Sequence, residues 1–163
     1  MTSLAKIGAR LLGGVLHRAE QLGVGDLSQI LRIQLADGRT AVVKGSAAPP
    51  IEAAMLEVIA KTGAPAPKVL AFNEEALVIE PVAAQGALAQ SWRDLATVLV
   101  KLHEAQGPSY GWARDYAFGP VAIRNAWMAN RPAFWAERRL MCHSRHESLR
   151  RPCCTAIFGA ETF

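Results

Sequence analysis

The stretch GDLSQILRIQLADGRTAVVKG, residues 25–45, holds two apolar runs around a turn signal. Leu27, Ile30, Ile33 and Leu35 are mixed with polar residues, Asp37-Gly38 supplies the turn, and Ala41-Val42-Val43 follows as a short apolar run ending in Lys44. An Asp-Gly pair between two such runs predicts a β-hairpin. Lysine is costly to place in a core, so an ammonium closing an apolar strand is expected either to snorkel to water or to meet a fixed anion.

Working outward, a breaker-rich loop over residues 45–50 leads into a segment from Glu52 to Lys61 rich in helix formers. Its apolar face is Ala53, Leu56, Ile59 and Ala60, and it stops at Gly63 with Pro65 and Pro67 beyond. Two further apolar runs, Lys68 to Phe72 and Ala76 to Ile79, flank Asn73-Glu74-Glu75 and predict a second hairpin. On the other side, Leu4, Ile7, Leu11, Leu12 and Val15 recur at helical spacing, which predicts a first helix over Leu4 to Leu16. After a Gly-containing linker, Ser91 is placed to cap a helix from Trp92 to about Glu104, with Leu95, Val98, Leu99 and Leu102 on one side. The chain then turns aromatic and loop-like, resuming helical character from Pro132 to Leu140.

Composition sets the outer limits. With 163 residues, 51% apolar and 20% charged, the chain suits one soluble globular domain rather than a disordered segment. No apolar stretch reaches the ~20 residues of a membrane-crossing helix, and the N-terminus lacks a signal-peptide core. A cytoplasmic location is the expectation. The formal charge of +4 is spread along the chain, which argues against a nucleic-acid stripe; a basic tail binding nucleic acid is the minor alternative. Cys142, Cys153 and Cys154 all fall near the C-terminal end beside His143 and His146, without the spacing of a zinc or redox motif, so no metal site is expected.

The order of features carries the chemistry. A strand lysine paired with a helix glutamate is how kinases position the cation that holds nucleotide phosphates, and Lys44 and Glu52 have that order. Upstream, Gly23-Val24-Gly25-Asp26-Leu27-Ser28 lies where a flexible turn lets backbone N–H groups approach phosphate, although Gly-x-Gly alone does not define such a loop. Downstream, Ala76 to Pro81 has the form of a strand leading into a connector whose backbone can pair with adenine. His103 closes a helix, where capping or packing is the expected role. The aromatic residues Trp112, Tyr116, Phe118, Trp127, Phe134 and Trp135 are read as core packing of a helical subdomain, with a sugar-stacking surface as the other reading.

The sequence resembles the fructosamine kinase (ketosamine-3-kinase) family, relatives of aminoglycoside phosphotransferases with a protein-kinase-like fold. The resemblance is carried by YGWARDYAFGPVAIRNAW and FWAERRL between Tyr110 and Leu140, at Gly111, Asp115, Gly119, Asn125, Arg139 and their neighbours. Residues 25–45, the Glu52 helix with its following strand, and LATVLVKLHEA add to it. The resemblance implies that Lys44 contacts ATP phosphates, that Glu52 pairs with it, that Gly23, Gly25 and Ser28 belong to the glycine-rich hairpin, and that Glu80 sits at the adenine connector. It also implies ATP and Mg2+ as cofactors and phosphoryl transfer to a sugar hydroxyl of a ketosamine, leading to deglycation of amines and proteins. One departure is Val24-Gly25, where relatives commonly carry two adjacent glycines.

The resemblance further implies an HGDLxxGN catalytic loop and an acidic metal motif, and the chain contains neither; Asp115 is its last aspartate. No catalytic residue is therefore assigned. The expected fold is α+β: a kinase-like N-terminal lobe over residues 1–82, the start of a helical lobe over 83–140, and an atypical tail over 141–163 with the character of a shifted reading frame. Such a truncated chain is expected to be inactive alone and to self-associate through an exposed apolar face. A non-catalytic nucleotide- or partner-binding pseudokinase is the alternative.

Overall fold

Gly13 ends the first helix earlier than periodicity predicts. In the computed structural model, which describes residues 3–25, 28–83, 91–118 and 121–140, α1 runs Ser3–Leu11 rather than to Leu16. Gly13 adopts φ +64°, its N–H donates to the Arg10 carbonyl and the Gly14 N–H donates to the Ala9 carbonyl, each at 3.0 Å. This is a Schellman cap, and a left-handed residue at its centre favours glycine.

The chain reverses into a strand that the apolar pattern did not reveal. β1 (Leu16–Gly25) pairs antiparallel with β2 (Ser28–Leu35), and β2 with β3 (Thr40–Lys44). Gly23 and Gly25 are thus ladder positions, opposite Ile30 and Ser28, and not part of a flexible turn; residues 26–27, which join the strands, lie outside the described residues. The Asp37-Gly38 turn forms as expected, with Gly38 at φ +87°. Arg39 closes it, donating to Asp37 through its backbone N–H and two guanidinium nitrogens, and to the Leu12 carbonyl at the end of α1. The Arg39 guanidinium holds the Asp37 carboxyl below its ordinary range.

α2 (Pro49–Lys61) follows, then β4 (Val69–Phe72) and β5 (Leu77–Ile79), giving a five-stranded antiparallel sheet in the order β1-β2-β3-β5-β4. α1 covers one face, where Leu4, Ala5 and Ala9 pack with Ile33, Val43 and Val78. Strand alternation then sends Val42 and Lys44 to the opposite face. Contact between α1 and β3 is close: a Cβ at Gly8 would stand 2.3 Å from Val43 Cγ2, and Val43 is fully buried. Gly8→Ala is expected to destabilise the fold by about 1–3 kcal/mol through overpacking, read as a lower urea midpoint. An unchanged midpoint would show that the helix can lift from the sheet without cost.

α3 (Trp92–Glu104) has the predicted limits, but its apolar side is not covered by the described residues. Trp92, Leu95, Leu99 and Val100 are all exposed, and Lys101 reaches back to the Gly63 carbonyl beyond α2. Within the segment read as loop, β6 (Tyr116–Phe118) and β7 (Val121–Ile123) form a small hairpin. α4 (Arg131–Trp135) is capped by Asn130, whose side chain accepts from the Ala133 N–H, and continues as a π turn over Ala136–Leu140. Of the aromatic residues expected to form a core, Phe134 is buried whereas Trp127 and Trp135 are exposed. No helix of the described residues is long and apolar enough to cross a membrane.

Candidate functional site

Lys44 ends β3 on the face away from α1, and Glu52 lies in the first turn of α2. Pro49 in the first turn starts α2 where a missing N–H costs nothing, and so places Glu52 one turn in. The Lys44 Nζ donates to Glu52 Oε1 in an ion pair, with side-chain exposures of 26% and 16%. Partial burial matters here, because it screens the pair from salt and makes the loss of either partner costly. The spacing of eight residues between them is thus closed by the loop from strand to helix.

The same face continues across the sheet. Val42 lies opposite Arg32 on β2 and Ile79 on β5, and Lys44 lies opposite Ile30 and Leu77. At the far end of this face is a hollow of about 290 Å³ lined by Arg32, Thr40, Pro81, Val82 and Ala83. The connector after β5 therefore forms one wall of it. Glu80 does not turn its carboxylate into this hollow. Its Oε1 accepts from the Lys68 N–H and its own N–H donates to the Lys68 carbonyl, both at 2.9 Å, which fastens the connector to the start of β4. Any contact from this part of the chain to a ligand would come from backbone or from residues 81–83.

A second, larger cleft of about 460 Å³ opens between α2 and the aromatic segment, lined by Met55, Trp112, Tyr116, Ile123, Asn125, Phe134 and Arg139, with Gly111. Its far wall is held by a polar network. Asp115 Oδ1 accepts from the Asn125 N–H at 2.7 Å, the Asn125 side chain donates to the Arg114 carbonyl, and Arg139 donates to Asn125 Oδ1 at 2.8 Å and to the Arg124 carbonyl at 2.7 Å. The Arg139 guanidinium also lies 4.6 Å from the centre of the Phe134 ring. Trp112 and Trp127 meet at 6.4 Å between ring centroids.

Sequence reasoning brought Lys44 and Glu52 together, but it read Tyr116 only as core or sugar-stacking aromatic and placed neither Asn125 nor Arg139 at a site. The signal was Gly119-Pro120 between Asp115 and Asn125, a turn pair that indicates a hairpin. Tyr116 stands close enough to the ion pair to feel it: burial pushes its phenol up, the Glu52 carboxylate adds to this, and Lys44 works the other way. His103 is exposed in the last turn of α3, so it is not packed by the described residues. Among the described residues no three His, Cys, Asp or Glu side chains converge as metal ligands would; Cys142, His143, His146, Cys153 and Cys154 lie outside them.

The profile of the fructosamine kinase family matches residues 11–151, past the Leu140 boundary at which the resemblance was expected to end. Among solved structures, the chain is similar to fructosamine-3-kinase candidates from Thermobifida fusca and Haemophilus somnus. The first is 25% identical with a TM-score of 0.73, covering 84% of this chain and 51% of the other. The second is 25% identical with a TM-score of 0.69, covering 84% of this chain and 50% of the other. The chain thus spans about half the length of these structures. No curated protein matches it.

Proposed function

The chain belongs to the fructosamine kinase family, and from that premise we propose that it forms the nucleotide-holding part of an ATP-dependent phosphotransferase acting on a sugar hydroxyl of ketosamines. The observation that carries this reading is the Lys44–Glu52 ion pair on the open face of the sheet. An ammonium held by a carboxylate is fixed in direction while its remaining donors stay free for phosphate oxygens. Val42 and Ile79 would floor the adenine, and residues 81–83 would supply backbone groups at its edge.

Magnesium does not fit the described residues. No three Asp, Glu, His or Cys side chains among them converge, and Glu52, Glu80 and Asp115 each commit one oxygen elsewhere, to Lys44, the Lys68 N–H and the Asn125 N–H. The same ion pair supports a second reading in which this chain binds nucleotide without transferring phosphate. ATP labelled at the γ-position, offered with a small ketosamine, separates the readings. Label on the ketosamine supports the transferase, ATP binding without label transfer supports the binding module, and no ATP binding removes both.

A further inference from the structure

We propose that Tyr116 is a positioning residue for the Lys44–Glu52 pair, its phenol hydroxyl serving the carboxylate oxygen that Lys44 leaves free. This deepens the nucleotide-site reading and rests on it for its functional meaning. Lys44 occupies Glu52 Oε1, while Oε2 is buried and lacks a hydrogen-bond partner. A buried carboxylate oxygen with nothing to accept from is costly, so a donor brought within reach is held there.

Tyr116 is that donor by placement. Met55 follows Glu52 by three positions on α2, which puts both on one side of the helix, and Met55 and Tyr116 line the same cleft. The phenol is half-buried and senses both members of the ion pair. Burial and the neighbouring carboxylate push its pKa above the ordinary value, which keeps the hydroxyl protonated and able to donate at neutral pH.

The hairpin that presents Tyr116 is braced for the purpose. Asp115 and Asn125 close its base, and Arg139 locks Asn125 from the π turn beyond α4. The strand lysine, the helix glutamate and this hairpin would therefore act as one unit, and a shift of the aromatic segment would be felt at the Lys44 ammonium.

The test is the acetylation rate of Lys44 in the full chain, read by mass spectrometry without nucleotide, with Lys6, Lys61, Lys68 and Lys101 as internal references. Tyr116→Phe is expected to raise the Lys44 rate about fivefold, the factor one hydrogen bond commonly represents, and to leave the four references unchanged. In a Glu52→Gln background the same substitution should add nothing, because the ammonium is already loosened. An unchanged Lys44 rate, a rise shared by all the lysines, or a full further increase in the Glu52→Gln background would each overturn the proposal. Failure of the wild-type chain to bind ATP would remove the nucleotide reading instead, and leaves this outcome to be judged on the labelling alone.

Discussion

Saturating ATP is expected to raise the melting temperature of the wild-type chain, and Lys44→Ala to abolish the rise. A ligand that binds only the folded state at a hundredfold excess over its dissociation constant stabilises it by about 2.7 kcal/mol. For a domain of this size each kcal/mol moves the midpoint by about 2–4 °C, so the expected shift is roughly 5–10 °C. Removing the ammonium also leaves the half-buried Glu52 carboxylate without its cation, so Lys44→Ala should melt lower even before nucleotide is added. Comparing each variant with and without ATP isolates the phosphate contribution from that loss. Lys44→Met, which keeps the apolar stem, serves as the second variant. A full ATP shift in both would show that the lysine does not meet the phosphates.

The second large effect is expected at Gly111. Its φ of +122° is a conformation that L side chains rarely adopt, and a Cβ there would lie 2.0 Å from the Ala126 carbonyl oxygen and 3.2 Å from Phe134 Cε2. The oxygen belongs to backbone and cannot step aside as a side chain would. Tyr110 and Met128 exchange both backbone hydrogen bonds beside it, at 2.7 and 2.8 Å, so displacement at 111 pulls on that bridge. Gly111→Ala should cost on the order of 3 kcal/mol in urea unfolding and dull the near-ultraviolet signal of the Trp112–Trp127 contact. Gly38→Ala is the matched control: φ is +87° but nothing stands within 4 Å of the new Cβ, so only the backbone term of about 1–2 kcal/mol applies. Equal costs at the two positions would show that the close approach at Gly111 is relieved elsewhere.

Much of the kinase-like half of the molecule was legible because its signals are local. Asp37-Gly38 marks its turn by chemistry, Lys44 stands out as a charge ending an apolar run, and α3 begins and ends where its pattern does. β1 was not legible for a physical reason. It is an edge strand with two bulges, so its residues need not alternate, and the apolar residues of LHRAEQLGVG, Leu16, Ala19, Leu22 and Val24, follow no period of two. Periodicity likewise carried α1 through to Leu16, whereas the Gly13 cap decides the matter through backbone conformation. The aromatic segment misled in another way. Trp127 and Trp135 have the composition of a core but stand exposed, whereas Phe134 is buried beneath Arg139. The Tyr116 placement could not be read at all, since it depends on how two separate elements meet across a cleft.

The strand order has a consequence for how the chain reaches this structure. β1, β2 and β3 form a meander of neighbours that can assemble as synthesis proceeds, but β3 waits with one edge open until β5 arrives, and β4, made earlier, ends up outside it. Pairing Val42 with Ile79 closes a long loop, whereas joining Lys44 to Glu52 closes a short one. The ion pair is therefore the early event and the strand that shields its sheet the late one. Until β5 docks, the β3 edge stays unpaired and open to any neighbouring strand, which makes that interval the chain's most vulnerable one.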